Sequence, residues 1–299
     1  MSDGMRIPDI TVIGLGALGT VLCRALVRRG AELKSVFTRT PEKALEVVSG
    51  CNRTTVDSSF PEGPDQLGGL VFLTVSDAAI AETAAKLSHI SGDLSGKTFV
   101  HCSGNESAAV LDELKVKGAR TASMHPLQTF SVHSVPADFN NIYFSLQGDP
   151  AAFPTLERIA GLLGARTLTV DERQKAHLHV AAVIASNYLI TLIDASTETG
   201  SLGGMDKEQV REALYPLVQT SLKNMKSASF EEAVSGPIAR GDVETIKHHL
   251  ELLEQRKDLN TFYRALGLQT AKKAEETGKL EQAFADKIQA LFNKAGGDD

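Results

Sequence analysis

Tryptophan is missing altogether from the 299 residues, so a fluorescent ligand would be seen against no indole emission. Cysteine is nearly as scarce. Cys23, Cys51 and Cys102 form no CxxC or CxxH pattern, and so odd and scattered a set suits free thiols better than a disulfide framework. Free thiols suit a reducing cytoplasm, with Cys23 and Cys102 acting as small hydrophobes in apolar contexts. Basic residues are outnumbered, 31 to 37, which leaves a net charge of -6. That balance argues against nucleic acid, although an anionic ligand can still find a locally basic site. Long apolar runs are lacking too. Residues 1–6 are polar and do not read as a signal peptide. The most apolar stretch, Val180 to Ile193, is broken by Ser186, Asn187 and Thr191, and reads as too short and too polar for a membrane span. There is no internal repeat, and only residues 296–299 read as a disordered tail.

What is present is the composition of a globular protein, 42% hydrophobic and 23% charged, long enough for one large domain or two ordinary ones without a metal or disulfide staple. The first half alternates short apolar runs with helical patterns. Strands are expected at Ile10–Ile13, Leu33–Phe37, Leu70–Thr74, Thr98–His101, Ala122–Met124 and Tyr143–Leu146. Helices are expected at Leu18–Arg28, Pro41–Val48, Ala78–Leu87 and Glu106–Lys115, with Thr40 as the N-cap before Pro41. After Val170 only helical stretches follow, near 172–199, 206–226, 242–254, 256–276 and 279–294. The expected fold class is therefore α/β. A Rossmann domain with a doubly wound, mostly parallel sheet covers 1–170, an all-α domain covers 171–299, and the handover lies near 168–173.

The β-branched run Ile10-Thr11-Val12-Ile13 leads straight into Gly14-Leu15-Gly16-Ala17-Leu18-Gly19, and a helix pattern begins at once. In that context the first glycine makes the tight turn, the second lets backbone approach a pyrophosphate, and the third lets helix pack on strand. The helix N-terminus then offers free N–H groups to phosphate. The end of the second strand selects the dinucleotide. A carboxylate there would grip a ribose 2′-hydroxyl; instead the chain reads Thr38-Arg39-Thr40, a guanidinium flanked by hydroxyls that suits a 2′-phosphate. NADP(H) is the cofactor expected.

Ligands of doubly wound sheets lie outside the carboxyl ends of the strands, and three such ends are polar here. Thr74-Val75 leads to Ser76-Asp77, placed against the cofactor's ribose and phosphates. His101-Cys102 leads to Ser103-Gly104-Asn105, and Met124 leads to His125-Pro126. The residue before proline is held extended, so His125 projects at a strand end. It is either a proton donor or substrate-orienting group, or a hydrogen-bonded structural histidine. His101, inside its strand, reads as structural. His89, His133, His248 and His249 read as surface or loop residues.

From Ala176 to Ile193 the pattern is apolar almost all round, which predicts a helix central to its domain. Lys175, His179 and Ser186 share one narrow stripe with Asn187 and Asp194 at its edges, and His177 faces away. Two readings fit such a stripe: the lining of a substrate cleft between domains, or a hydrogen-bond network between helices. Downstream, Asp242 of Ser235-Gly-Pro-Ile-Ala-Arg240-Gly-Asp242 is placed to cap a helix. Arg240 suits an anionic substrate group or a carboxylate across a subunit interface.

Taken together, GLGALG, HCSG, HPLQTF, AAVIASNYL and GPIARGD make the chain from about Pro8 to Lys273 similar to bacterial Rossmann-like NADP oxidoreductases of the coenzyme-F420-dependent type, which carry a helical C-terminal domain of unknown function and are also grouped with ketopantoate reductases. The wider superfamily includes pyrroline-5-carboxylate reductase, prephenate dehydrogenase and 6-phosphogluconate dehydrogenase. The resemblance implies that Gly14, Gly16 and Gly19 hold the dinucleotide and that Thr38-Arg39-Thr40 meets its 2′-phosphate. It places His125-Pro126 like the pair that prephenate dehydrogenases set beside the nicotinamide, and His179 and Asn187 on the helix that supplies catalytic groups. Arg240-Gly-Asp242 echoes a late arginine and acid of ketopantoate reductases. One departure is clear: Lys175 is followed four residues later by His179, not by the asparagine of the hydroxyacid enzymes. The expected activity is NADP(H)-dependent oxidation or reduction of a small anionic carbonyl, imine or hydroxy metabolite. In it His125 or His179 handles the proton, Ser103, Ser186 and Asn187 orient the substrate, Arg240 holds its carboxylate, and the helical domain pairs two subunits. A prephenate-dehydrogenase-like enzyme and a non-catalytic dinucleotide sensor are the alternatives.

Overall fold

The computed structural model describes residues 7–293 except Gly50, Asn52 and Val132; the polar N-terminus and the tail considered above lie outside the described residues. The chain divides into two compact units, one through Asn187 and one from Tyr188 onward. That division falls later than the handover expected near 168–173.

The first unit is built on eight strands: β1 (Ile10–Ile13), β2 (Leu33–Phe37), β3 (Thr55–Asp57), β4 (Leu70–Leu73), β5 (Thr98–His101), β6 (Arg120–Pro126), β7 (Tyr143–Gly148) and β8 (Arg166–Thr169). They lie in the order β3-β2-β1-β4-β5-β6-β7-β8. All neighbours are parallel except β6 and β7. The chain therefore leaves β1 toward one edge and returns to β4 on its other side, so the switch point of the sheet falls between β1 and β4. Helices α1 (Ala17–Arg28), α2 (Pro41–Val47), α3 (Asp77–Ser88), α4 (Asp112–Lys115), α5 (Phe153–Leu162) and α6 (Glu172–Val183) complete the unit. Strand residues alternate between two cores. Val12, Phe72 and Val100 pack with Leu22, Leu26 and Ile159 on one face; Ile13, Val71, Leu73 and Phe99 pack with Ile80 and Leu87 on the other. Burial on both faces is why these strands are continuous apolar runs.

The sequence pattern missed β3 and α5, and β8 was expected only as a strand without bounds at the handover near 168–173. β3 and β8 are edge strands, where a partly exposed Thr55-Val56-Asp57 or Arg166-Thr167-Leu168-Thr169 presents no apolar run. The helix expected over Glu106–Lys115 is a 3₁₀ turn at Ala108–Leu111 followed by the short α4. Thr40 precedes α2 as expected, but its side chain makes no cap bond. The hydroxyl sits 3.3 Å from Thr38 Oγ1 instead.

After α6, Ile184–Tyr188 forms a π-helical turn. The second unit then comprises α7 (Leu189–Ser201), α8 (Lys207–Ser227), α9 (Phe230–Ala233), α10 (Val243–Leu252), α11 (Lys257–Glu276) and α12 (Gln282–Asn293). Its core joins Ile246 and Leu250 of α10, Ala271 and Ala274 of α11, and Ile288 and Phe292 of α12. Asp242 caps α10 as expected, accepting from Thr245 N at 3.1 Å. His249 is not a surface residue: it is half-buried with Nδ1 2.8 Å from the Tyr263 hydroxyl.

The helical stretch Glu172–Ser201 corrects two expectations. It is not central and buried, for Val180, Ile184, Tyr188 and Ile190 are 58%, 55%, 60% and 66% exposed. Nor is it too short or polar to span a bilayer by length and composition, since an 18-residue window reaches a mean hydropathy of 1.5. The 14-residue stretch taken by itself falls short, whereas it lies within a 30-residue helix, expected near 172–199.

Candidate active site

The glycine loop follows β1 at the switch point. Gly14 adopts φ +97°, a conformation that L side chains rarely take, and a Cβ there would meet Val75 Cγ1 at 2.9 Å. Thr74, just past β4, donates its hydroxyl to Gly14 O at 2.6 Å and locks the turn across the two strands. A Cβ on Gly19 would fall within 3.0 Å of Gly14 O and Thr74 Oγ1, so its absence lets α1 close onto β1. Gly16 differs from both: it is exposed, with φ -72°, and a Cβ there would meet nothing within 4 Å. It caps α1 with no side-chain bond, and no acidic residue occupies the first turn. The three glycines thus divide into two that serve packing and one that keeps open space before a helix N-terminus, the arrangement that accepts an anion. Leu15, Ala17 and Leu18 are half-buried around them. Arg39 and Thr40 are exposed just past the end of β2, with Thr38 buried behind. Ser76 is exposed at the start of α3. These residues fit a dinucleotide: a glycine cradle, free amides and a guanidinium at the neighbouring strand end.

Beside the loop, β5 ends in a connected polar cluster. Ser103 Oγ donates to Asp77 Oδ2 at 2.7 Å and accepts from Asn105 N and Glu106 N at 3.1 and 3.0 Å. Its carbonyl accepts from Lys175 Nζ at 2.6 Å. His101 is structural, as expected: it is fully buried, with Nδ1 accepting from Ser103 N at 3.2 Å and Nε2 3.2 Å from Ser107 O. Lys175, from α6, is 3% exposed. Its burial pulls its pKa down to about 8, against the pull of the Cys102 thiol and the Asp77 and Glu106 carboxylates. Burial also pushes the Cys102 thiol up to about 12, so it stays protonated and inert.

His125 extends β6, in register with Ser145 of β7, and Pro126 faces Phe144. The strand runs two residues past the expected Met124. The His125 and His179 rings stand edge to face, 5.9 Å between centroids at 79°. Burial first, then Lys175 and His179, bring the His125 pKa down to about 4. A cavity of about 540 Å³ opens here, lined by His125, Gln128, Thr129, His179, Ser186 and Asn187 among smaller apolar groups. Ser186 Oγ donates to Asn187 Oδ1 at 2.8 Å. Both residues lie on the π turn, a distortion that often marks functional sites.

The structure thus brings His125, His179, Ser186 and Asn187 together. It sets Ser103 behind them with its hydroxyl fully occupied. Arg240 lies in the second unit, exposed, near Asp242. Sequence reasoning missed Gly104, which is buried between the two histidines; its one signal was a glycine directly after the polar end of β5.

Comparison with known proteins agrees with this architecture. Residues 142–270 match the model of DUF2520, a domain of unknown function. No curated protein matches the chain. Among solved structures, a protein from Bacteroides fragilis provisionally described as an NADP oxidoreductase is 23% identical, with a TM-score of 0.70 over 87% of this chain and 96% of that one. A Thermotoga maritima protein is 24% identical, with a TM-score of 0.68 over 90% of this chain and 99% of that one. A reductive aminase from Aspergillus terreus, solved with NADPH and ethyl levulinate, is 17% identical, with a TM-score of 0.64 over 96% of this chain and 100% of that one. At such identities the likeness is one of fold: a Rossmann-like unit followed by a helical one.

Proposed function

We propose that the protein is an NADP(H)-dependent oxidoreductase acting on a small carbonyl or imine compound, or on the corresponding hydroxy compound in the reverse direction. The observation that carries this reading is Gly16. It is open and uncapped at the head of α1, while its partner glycines are closed by packing. Arg39 at the end of β2 favours NADP(H) over NAD(H). The same fold in an NADPH-bound reductive aminase, and in the Bacteroides fragilis protein provisionally described as an NADP oxidoreductase, supports the cofactor. The dinucleotide, when bound, supplies or takes the hydride.

The chain's own residues supply the rest. His179 and Asn187 line the cavity, which supports assigning them the proton and the orientation of the substrate. Ser103 and Lys175 buttress the loop after β5 and are not among the residues that line the cavity. With its pKa brought down to about 4, His125 is neutral at working pH, which weighs against the prephenate-dehydrogenase-like reading in which it is the essential titrating group. Among the described residues the cavity lining holds no lysine or arginine. This favours an uncharged carbonyl or imine over the anionic one expected from Arg240.

The exposed apolar residues of Glu172–Ser201 also favour a homodimer, a second copy covering Ile184, Tyr188 and Ile190. An apolar cavity of about 540 Å³ in the second unit, lined by Leu192, Val210, Leu214 and Leu266, adds to the surface left for such a partner. The three free thiols suit the cytoplasm.

The test is a melting curve with NADPH, NADH or neither, followed by NADPH oxidation against a panel of ketones and imines with and without carboxylates. A ligand bound only by the folded form raises Tm, and NADPH should raise it more than NADH does. Absence of any shift at saturating dinucleotide refutes the proposal. Binding without turnover leaves a sensor. Light scattering should give twice the 32.0 kDa chain mass; a monomer free of detergent refutes the dimer, and sedimentation with membranes assigns the helix to a bilayer.

A further inference from the structure

Two imidazole nitrogens converge on one point of the first unit. A Cβ added to Gly104 would lie within 3.0 Å of His179 Nδ1 and of His125 Nε2. His179 Nδ1 is buried without a hydrogen-bond partner, a costly condition for a polar atom. The only other polar atom that this added Cβ would meet closely is His125 Nε2, and the two rings as they stand make no hydrogen bond. We propose that His179 Nδ1–H donates a hydrogen bond to His125 Nε2, making His179 the catalytic proton donor through Nε2 and His125 the residue that positions it.

Proton balance fixes the direction of this bond. If His125 were the donor, His179 would carry its only proton on Nε2 and giving it away would leave an imidazolate. With the proton held on Nδ1, a charged His179 gives its Nε2 proton and ends neutral. The substrate oxygen or nitrogen then takes that proton together with the electron pair of its breaking π bond. A bound nicotinamide would supply the hydrogen and two electrons to carbon, so this step rests on the reductase reading. Solvent recharges the ring.

The surroundings suit His125 as a neutral acceptor. Lys175, His101 and Asp77 are the other ionisable groups facing it. Asp77 is bound to Ser103, Lys175 to the Ser103 carbonyl and His101 to the backbone. Among the described residues no hydrogen bond joins a carboxylate to either ring. His125 therefore occupies the place that an aspartate holds in a Ser-His-Asp triad, orienting its neighbour without charge. Gly104 is what allows the approach, since any side chain there would stand between the rings.

The experiment is histidine ¹⁵N NMR on the full-length protein, with His179 assigned by the signal lost in His179→Gln. Neutral His179 should be the Nδ1–H tautomer. His125→Phe should abolish that preference, and His125→Gln, whose amide oxygen still accepts, should retain it. If His125→Phe does not fold, Gly104→Ala must produce the same loss by wedging a methyl between the rings. An Nε2–H tautomer in the parent protein, or a tautomer indifferent to His125→Phe or Gly104→Ala, overturns the proposal. The readout needs no cofactor: failure to bind dinucleotide with the tautomer as expected would sink the reductase reading alone. Normal NADPH binding with the wrong tautomer would sink the pair alone.

Discussion

Replacing Gly16 and Gly19 by alanine one at a time separates cofactor binding from folding. Position 16 has φ -72° and ψ -164°, and a Cβ there meets no atom within 4 Å. Alanine is therefore unstrained, and by restricting the unfolded chain it should stabilise the free protein slightly, by about 0.4–1 kcal/mol. The new methyl would stand in the space that a pyrophosphate needs. Overpacking typically costs about 1–3 kcal/mol, and with tenfold in Kd for each 1.4 kcal/mol the affinity for NADPH should fall on the order of tenfold to a hundredfold. Position 19 should behave in the opposite way. Its Cβ would press on Gly14 O, a backbone atom that cannot rotate aside, and on Thr74 Oγ1. Gly19→Ala should destabilise the free protein by at least about 1–3 kcal/mol, a fall of several degrees in Tm. Differential scanning fluorimetry of the two variants without ligand, and NADPH titration followed by nicotinamide fluorescence, give both numbers. Gly16→Ala binding NADPH as tightly as the parent would refute the assignment of the loop, and Gly16→Ala melting well below the parent would refute the claim that its surroundings are empty.

Arg39→Ala should weaken NADPH by about 1.5–3 kcal/mol, the range of a hydrogen bond to a charged group, and leave NADH nearly unchanged; equal losses for both, by calorimetry, would remove the 2′-phosphate assignment. Burial brings the pKa values of His101 and His125 down to about 4 from 6.5. The unfolded chain then binds more protons than the folded one between these values, so stability should fall as pH drops from 6.5 to 4. Urea unfolding at pH 7, 5.5 and 4.5 should show this loss, smaller in His125→Gln. Lys175, with its pKa brought down to about 8 from 10.5, is buried at a cost while charged. That cost is full below pH 8 and relieved as pH rises toward 10.5, so stability should gain through this window; in Lys175→Met the gain should vanish, as read by Tm against pH.

Much of the first unit could be read before any coordinates because its strands are buried on both faces. A strand such as Leu70–Leu73 has no polar position to confuse the pattern, and the loop after Ile13 is punctuated by glycines with local geometric duties. Edge elements lacked that clarity. Thr55–Asp57 is held by parallel pairing to β2, a tertiary fact with no local trace. The dinucleotide side of the site was legible for the same reason as the strands, since its residues lie in one contiguous turn and one strand end. The reaction side was legible only in part. His125 and His179 were singled out separately, one by the proline after it and one by its stripe. What joins them is Gly104, and a glycine that works by what it lacks leaves no chemical signature.

The long helix shows where the reasoning from pattern to burial breaks down. An all-round apolar helix should be enclosed, yet Val180, Ile184 and Ile190 are more than half exposed in a single chain. The homodimer proposed above would supply the surroundings that such a pattern calls for. The same helix carries inward-facing Lys175 and half-buried His179, then breaks into a π turn at Ile184. An extra residue in that turn rotates everything after it by roughly one step of about 100° relative to a straight helix. Ser186 and Asn187 lie within that turn and line the cavity beside His179; on a regular wheel Ser186 already shared the stripe of His179, whereas Asn187 lay only at its edge. The apolar face and the polar site are consequently coupled through one distorted segment, and a partner that covers Ile184 and Tyr188 would also fix the positions of Ser186 and Asn187.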